Sequence, residues 1–89
     1  MIDDTLLAVS VLTRLRLVLV LEQSQGAPFS QLGHQIGVSR RRLTFHLGLL
    51  QTRGIVQGQR QGKGNSGNPS FYSLTERGQR LAQLLQELA

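Results

Sequence analysis

Between Ile36 and Arg40 the chain has three residues, Gly37-Val38-Ser39, in which to end one helix and begin the next. Glycine takes the positive φ that stops a helix without steric cost. A serine just after it offers its hydroxyl to the first free amides of a new helix. Upstream, Leu32 and Ile36 lie one helical turn apart and face inward. Downstream, Leu43, Leu47 and Leu50 at i, i+4 and i+7 define a buried stripe on a helix running to about Arg53, where Gly54 stops it. Two short helices joined by a tight turn, each with an apolar side, are the frame on which the rest is read.

The flanking segments follow from the same signals. Asp3 or Asp4 caps a long segment, Thr5 to Ser24, that holds neither Gly nor Pro. Ala8, Val11, Leu12, Leu15, Val18 and Leu19 form one helical face, with Leu7, Val9, Leu17, Val20 and Leu21 elsewhere. Residues 15–21 also read as a buried strand, but length and the missing breakers favour helix. A helix with two apolar faces needs two partners, its own core and a second subunit. Gly26-Ala27-Pro28 ends this segment. Ser30 is the expected N-cap of the next helix, with Phe29 ahead of the cap and packed back on the first turn. After Gly54 the pattern changes to two short strands, Ile55 to Arg60 and Ser70 to Leu74, around a Gly/Asn-rich loop. Thr75 caps a last helix with Leu81, Leu84, Leu85 and Leu88 on one stripe. The expectation is a mainly α single domain, 1–89, with a small β-hairpin: an N-terminal helical region 5–24, a helix-turn-helix 30–53, a hairpin 54–74 and a C-terminal helix 75–88.

Composition narrows the function. With 89 residues the core is thin and dimerisation would support it. The absence of cysteine excludes disulfides and thiolate metal sites. A net charge of +5 and a pI near 11.5 favour an anionic partner. No signal peptide is visible, and the apolar run Leu17 to Leu21 is far short of the ~20 residues a membrane span needs. The expected location is the cytoplasm, at the nucleoid of a prokaryote. Enzyme chemistry is not expected: the acidic residues are scattered, and neither histidine, His34 or His46, has acidic or cysteine company. No metal site and no cofactor are expected, since a metal needs three or four ligands in reach. His46 reads as a partly buried helix residue bonded locally, and His34 as exposed. The Gly62 to Gly67 stretch lacks the helix start of a phosphate-binding loop.

The order of elements, with particular residues, resembles the winged helix-turn-helix regulators of the ArsR/MarR-like superfamily over roughly residues 12 to 80. Thr13-Arg14-Leu15-Arg16-Leu17 is similar to the opening of ArsR-like repressors. Leu32, Gly33, Gly37, Val38 and Ser39 resemble the Leu-Ala-x-x-x-Gly-Val-Ser core of a helix-turn-helix, with Gly33 where alanine is usual. Leu43 to Leu47, then Leu50, then Gly54-Ile55-Val56, resemble a recognition helix leading into a wing. Tyr72-Ser73-Leu74-Thr75-Glu76-Arg77-Gly78 is similar to the segment that closes the wing in MarR-like proteins.

The resemblance implies a sequence-specific, double-stranded DNA-binding transcription regulator, most simply a dimeric repressor. Its recognition helix from Ser39 would enter the major groove, and its wing would lie on the backbone or in the minor groove. A helical wheel independently turns Arg41, Phe45, Gly48 and Thr52 away from Leu43, with Arg40, Arg42 and Thr44 flanking. Arg41 is expected to fork onto a guanine edge and Arg40 and Arg42 to grip phosphates. Thr44 suits a base or a phosphate, and Phe45 a thymine methyl. On the wing, Arg60, Lys63 and Asn65 are the candidates. Dimerisation is expected through residues 5–21 and 81–88, and no small-molecule effector is evident. The competing readings are a protein-interaction module or non-specific architectural DNA binding through the same basic face.

Overall fold

The computed structural model describes residues 4–60 and 70–88, with side chains from residue 8 onward. Helix α1 spans Asp4–Ser24, strand β1 Ala27–Pro28, helix α2 Phe29–Ile36, helix α3 Arg40–Thr52, strands β2 Val56–Gln59 and β3 Phe71–Leu74, and helix α4 Glu76–Leu88. The three strands form one antiparallel sheet in the order β1-β3-β2. Asp3, Lys63 and Asn65 lie outside the described residues.

The turn between α2 and α3 is built as its residues dictate. Gly37 adopts the left-handed conformation at φ 77° and ψ 34°, and its amide donates to the Gly33 carbonyl. Ser39 is extended, and its Oγ accepts from the Arg42 amide at 3.2 Å. Leu32, Ile36, Leu43, Leu47 and Leu50 are all buried and share one core with Leu17, Val18, Leu21, Val56, Tyr72, Leu74 and Ala82.

Three local expectations change. The strand reading of residues 15–21 gives way to helix, but the buried face is Leu17, Val18 and Leu21 rather than the face through Ala8, Val11 and Leu12. Of that expected face only Val18 is buried, Leu15 and Leu19 are half-buried, and Ala8, Val11 and Leu12 are exposed. α1 is apolar nearly all round, so periodicity alone does not select the side that meets the core. Second, Ala27–Pro28 is a strand rather than a mere terminator. It pairs with Tyr72 and Phe71 at the sheet edge, the place where a residue with no amide hydrogen is tolerated. Third, Ser30 is not the cap of α2. The helix starts at Phe29 with Pro28 as its extended N-cap residue (φ −72°, ψ 154°), and the Phe29 amide is satisfied by the Ser70 carbonyl at 2.8 Å.

At the base of the wing, the Thr75 hydroxyl donates to the Gly54 carbonyl at 2.6 Å and accepts from the Gly78 amide at 3.1 Å. The Thr75 amide in turn donates to the Ile55 carbonyl at 3.0 Å. One residue thus caps α4 and ties it to the chain leaving α3. On α4, Gly78 and Ala82 are buried. Leu81 and Leu85 are half-buried against the core, while Leu84 and Leu88 are exposed.

Candidate nucleic-acid interface

The first turns of α3 present the residues singled out by the sequence. Ser39, Arg40, Arg41, Arg42, Thr44 and Phe45 are all exposed, with Phe45 at 59 %. They sit together because Leu43, His46 and Leu47 of the same helix are buried, which turns the intervening positions outward. No acidic residue lies in the first turn of α3. Among the described residues the one ion pair is Arg80–Glu76 at 2.8 Å, on the outer face of α4. Three guanidinium groups therefore surround the positive end of a helix dipole with no carboxylate to offset them. That arrangement is favourable only toward an anion.

The individual side chains differ. The Arg40 guanidinium carbon stands 5.6 Å from the centroid of the Phe29 ring, a cation–π distance that ties it to α2. Thr44 Oγ1 donates to the Arg40 carbonyl at 2.8 Å, so its hydroxyl is already engaged with its own helix. Phe45 packs edge-on to the His46 ring at a centroid distance of 5.5 Å. A Cβ placed on Gly48 would touch nothing within 4 Å, leaving that part of the helix open to close approach. On the wing, Arg60 is exposed just after β2.

His46 departs from expectation. It is buried at 6 % exposure, and its partner is distant in sequence: Arg14 Nη1 of α1 stands 3.3 Å from its Nδ1. Arg14 also donates to Ser10 Oγ at 2.9 Å. Because a guanidinium only donates, Nδ1 accepts and the imidazole proton resides on Nε2. Burial lowers the His46 pKa from its ordinary 6.5, and the positive charges of Arg14 and then Arg42 lower it further. The sequence signal for this contact was a polar residue in an apolar stripe. Arg14 stands one turn before Val18 and two before Leu21, on the face that turns inward. Phe29, under Arg40, was read only as a packing residue.

Among the described residues no three His, Cys, Asp or Glu side chains come together as a metal site. No helix in the described residues is long and apolar enough to cross a membrane.

Comparison with known proteins agrees with this geometry. The model of the HxlR-like helix-turn-helix family matches residues 11–89, and the chain belongs to that family. Its architecture is that of the ArsR/MarR-like winged-helix transcription regulators. Among curated proteins no sequence matches. Among solved structures, the chain is similar to NadR in complex with 4-hydroxyphenylacetate, at 27 % identity and a TM-score of 0.72 over 84 % of this chain and 52 % of that one. It is similar in fold to a transcriptional regulator homologue from Pyrococcus horikoshii OT3, at 22 % identity and a TM-score of 0.72 over 83 % of this chain and 72 % of that one. It also resembles Streptococcus pneumoniae FabT in complex with DNA, at 17 % identity and a TM-score of 0.74 over 84 % and 51 % of the two chains. The chain thus spans about half the length of NadR and of FabT.

Proposed function

We propose that the chain binds double-stranded DNA in a sequence-specific way and acts as a dimeric repressor by occupying a promoter. The observation that carries this reading is the exposed, acid-free Arg40-Arg41-Arg42 turn at the start of α3, flanked by Thr44 and Phe45. In a helix-turn-helix this turn is the part of the recognition helix nearest the base edges. Arg41, exposed on α3, reads a guanine; Arg42 holds a phosphate. Arg40, held over Phe29, is fixed at the edge of the face, where it positions the backbone. Arg60, Lys63 and Asn65 of the wing contact the backbone or the minor groove. FabT, which shares the fold, is solved in complex with DNA, and this supports a DNA-binding reading of α3.

Dimerisation rests on Val9, Val11 and Leu12 of α1 and Leu84 and Leu88 of α4, all large apolar side chains with about half or more of their surface exposed. Two such chains related by a two-fold axis would read half-sites about 10 bp apart.

The test is a selection from random duplexes with the purified chain at near-physiological salt. A recovered two-fold motif supports the reading. Binding that is equal for all sequences, and weakens by about three to five orders of magnitude between ~50 and ~200 mM salt as expected for ~6–10 phosphate contacts, would leave only architectural binding. No DNA binding at all would move the basic face to a protein partner.

A further inference from the structure

Two side-chain contacts tie the basic face of α3 to other helices. At the start of α3, Arg40 lies over the Phe29 ring of α2. Farther along, His46 meets Arg14 of α1 at 3.3 Å. Thr44 and Thr52 bond carbonyls of their own helix and fix nothing outside it. The His46 contact is the more demanding tie. Its ring is buried in line with Leu43, Leu47 and Leu50, where an unpaired nitrogen is costly. No fully buried side-chain nitrogen or oxygen among the described residues lacks a partner. Leucine packing holds two helices together but has no direction of its own. A hydrogen bond survives only over a narrow range of angles, so this one fixes how far α3 is rolled about its axis. Arg14 is itself held: it is half-buried and donates to Ser10 Oγ, one turn earlier on α1, at 2.9 Å. The imidazole in turn meets the Phe45 ring edge-on, with 5.5 Å between centroids and 69° between planes. Phe45 is mostly exposed, which leaves the imidazole as the ring contact that orients it.

We propose that Arg14 is a positioning residue for sequence reading: from α1 it fixes the His46 ring, and through that ring it sets Phe45 against the methyl group of a thymine. The proposal rests on the DNA-binding reading of α3 and deepens it, naming the base feature read and a residue outside α3 on which the reading depends. Thymine alone carries a methyl on the major-groove edge. A phenyl ring among exposed arginines does nothing for a phosphate, but against a methyl it takes apolar surface out of water on both sides. Such a contact needs position above all, because dispersion attraction falls away over a fraction of an ångström. An exposed phenyl ring free to turn would give it up. Ser10, Arg14, His46 and Phe45 form a continuous chain of contacts from α1 to the outward side of α3. If Arg14 merely filled space between the two helices, its loss would lower stability without changing which base is preferred.

The experiment compares the affinity of the full chain for its selected duplex with that for the same duplex carrying uracil in place of each thymine in turn. Uracil keeps the base pair and lacks the methyl. For the parent chain the expected result is a loss of about fourfold at one position of each half-site, the contribution of a single buried methyl. Phe45→Ala should abolish that preference. Arg14→Met, which fills similar space and donates nothing, should bring the two duplexes close to equality, with affinity for the uracil duplex within about twofold of the parent's. Arg14→Lys, which keeps a donor, should restore part of the preference. In the Phe45→Ala background, Arg14→Met should change the ratio no further, because both act on one contact. If circular dichroism shows Arg14→Met unfolded, His46→Leu breaks the same link from the other end, suits the leucine stripe, and should lose the preference in the same way. A methyl preference left intact in the folded variant overturns the proposal. So does a parent chain that selects a motif but is indifferent to every methyl, an outcome that leaves DNA reading standing. If no motif is selected, the DNA reading itself falls and the proposal with it.

Discussion

The Cα of Gly78 packs directly against the carbonyl oxygen of Ile55, leaving no room for a side chain. A Cβ there would overlap that oxygen and press on Leu74 Cδ2 at 3.1 Å. The carbonyl has no freedom to withdraw, because it also accepts the Thr75 amide at 3.0 Å. This is the physical reason for glycine at the end of the wing-closing segment: α4 must start flush against the chain that leaves α3. Gly78→Ala is expected to destabilise the fold by about 1–3 kcal/mol or more, as overpacking of a fixed site does. Thermal unfolding should show a Tm lower by roughly 4–8 °C for each kcal/mol in a domain of this size. An unchanged Tm would mean that α4 and Ile55 are not held together in solution.

The Thr75 hydroxyl serves the same junction from the other side, bonding the Gly54 carbonyl and the Gly78 amide. Thr75→Val keeps the shape and removes both bonds. The expected cost is about 1–2 kcal/mol, the loss of a helix cap with a second hydrogen bond. Amide hydrogen exchange should speed up at Gly78 first, since its cap acceptor is gone.

Gly33 makes the opposite case. It sits inside α2, and a Cβ there would meet only Leu43 Cδ2 at 3.6 Å, an ordinary van der Waals contact. Gly33→Ala is therefore expected to stabilise the chain by about 0.5–1 kcal/mol, by restricting the unfolded backbone. Urea unfolding with an unchanged m-value checks it. A lower midpoint would show that α2 and α3 approach more closely than this.

These sites mark what the sequence made legible. The α2–α3 turn, the caps at Ser39 and Thr75, the stops at Gly37 and Gly54 and the inward Leu43-Leu47-Leu50 stripe are local chemistry. Each was readable because a single residue type suits a single backbone state. The exposure of Arg40 to Arg42, Thr44 and Phe45 followed from the same stripe. The buried face of α1 was not readable, since an all-round apolar helix has no preferred side until its neighbours are known. Nor was β1, because two residues carry no periodicity and their pairing with Phe71 and Tyr72 is purely tertiary. The Arg14–His46 contact was hidden for the same reason: it joins residues 32 apart.

That contact predicts a pH dependence. The folded His46 pKa lies below its ordinary 6.5 because burial, then Arg14 and Arg42, disfavour the cation. As pH falls, the unfolded chain takes up this proton first. Stability is therefore highest above about pH 6.5 and is lost through the window between 6.5 and the lower folded pKa, then levels off below it. Urea unfolding across this range should show the loss in the parent chain. His46→Gln should remove that part of the slope. A slope unchanged by the substitution would assign the proton to another group.

Leu12 and Leu84 are each 57 % exposed, on α1 and α4. Sedimentation at tens of micromolar is expected to give a dimer for the parent chain, and the Leu12→Gln, Leu84→Gln double variant is expected to shift it toward monomer. Far-UV circular dichroism should stay unchanged, because neither side chain belongs to the buried core. A monomeric parent chain at that concentration would sink the dimer.

The arginines of α3 should separate by function. Arg41 is exposed on the outward line through Phe45 and has no partner among the described residues. A base-reading role means that Arg41→Ala lowers affinity for the preferred duplex but hardly changes affinity for others, so sequence preference narrows by about 1–3 kcal/mol. Lys63→Ala removes the phosphate contact proposed for the wing. It should weaken all duplexes alike and reduce the salt slope by about 1. Arg40→Ala should behave like Lys63→Ala and also loosen the α2 contact, since its guanidinium lies over Phe29. Titrations of each variant against the selected site and a scrambled duplex, at several salt concentrations, distinguish the roles. If Arg41→Ala weakened both duplexes equally, α3 would grip the backbone without reading it, and the sequence information would have to come from DNA shape.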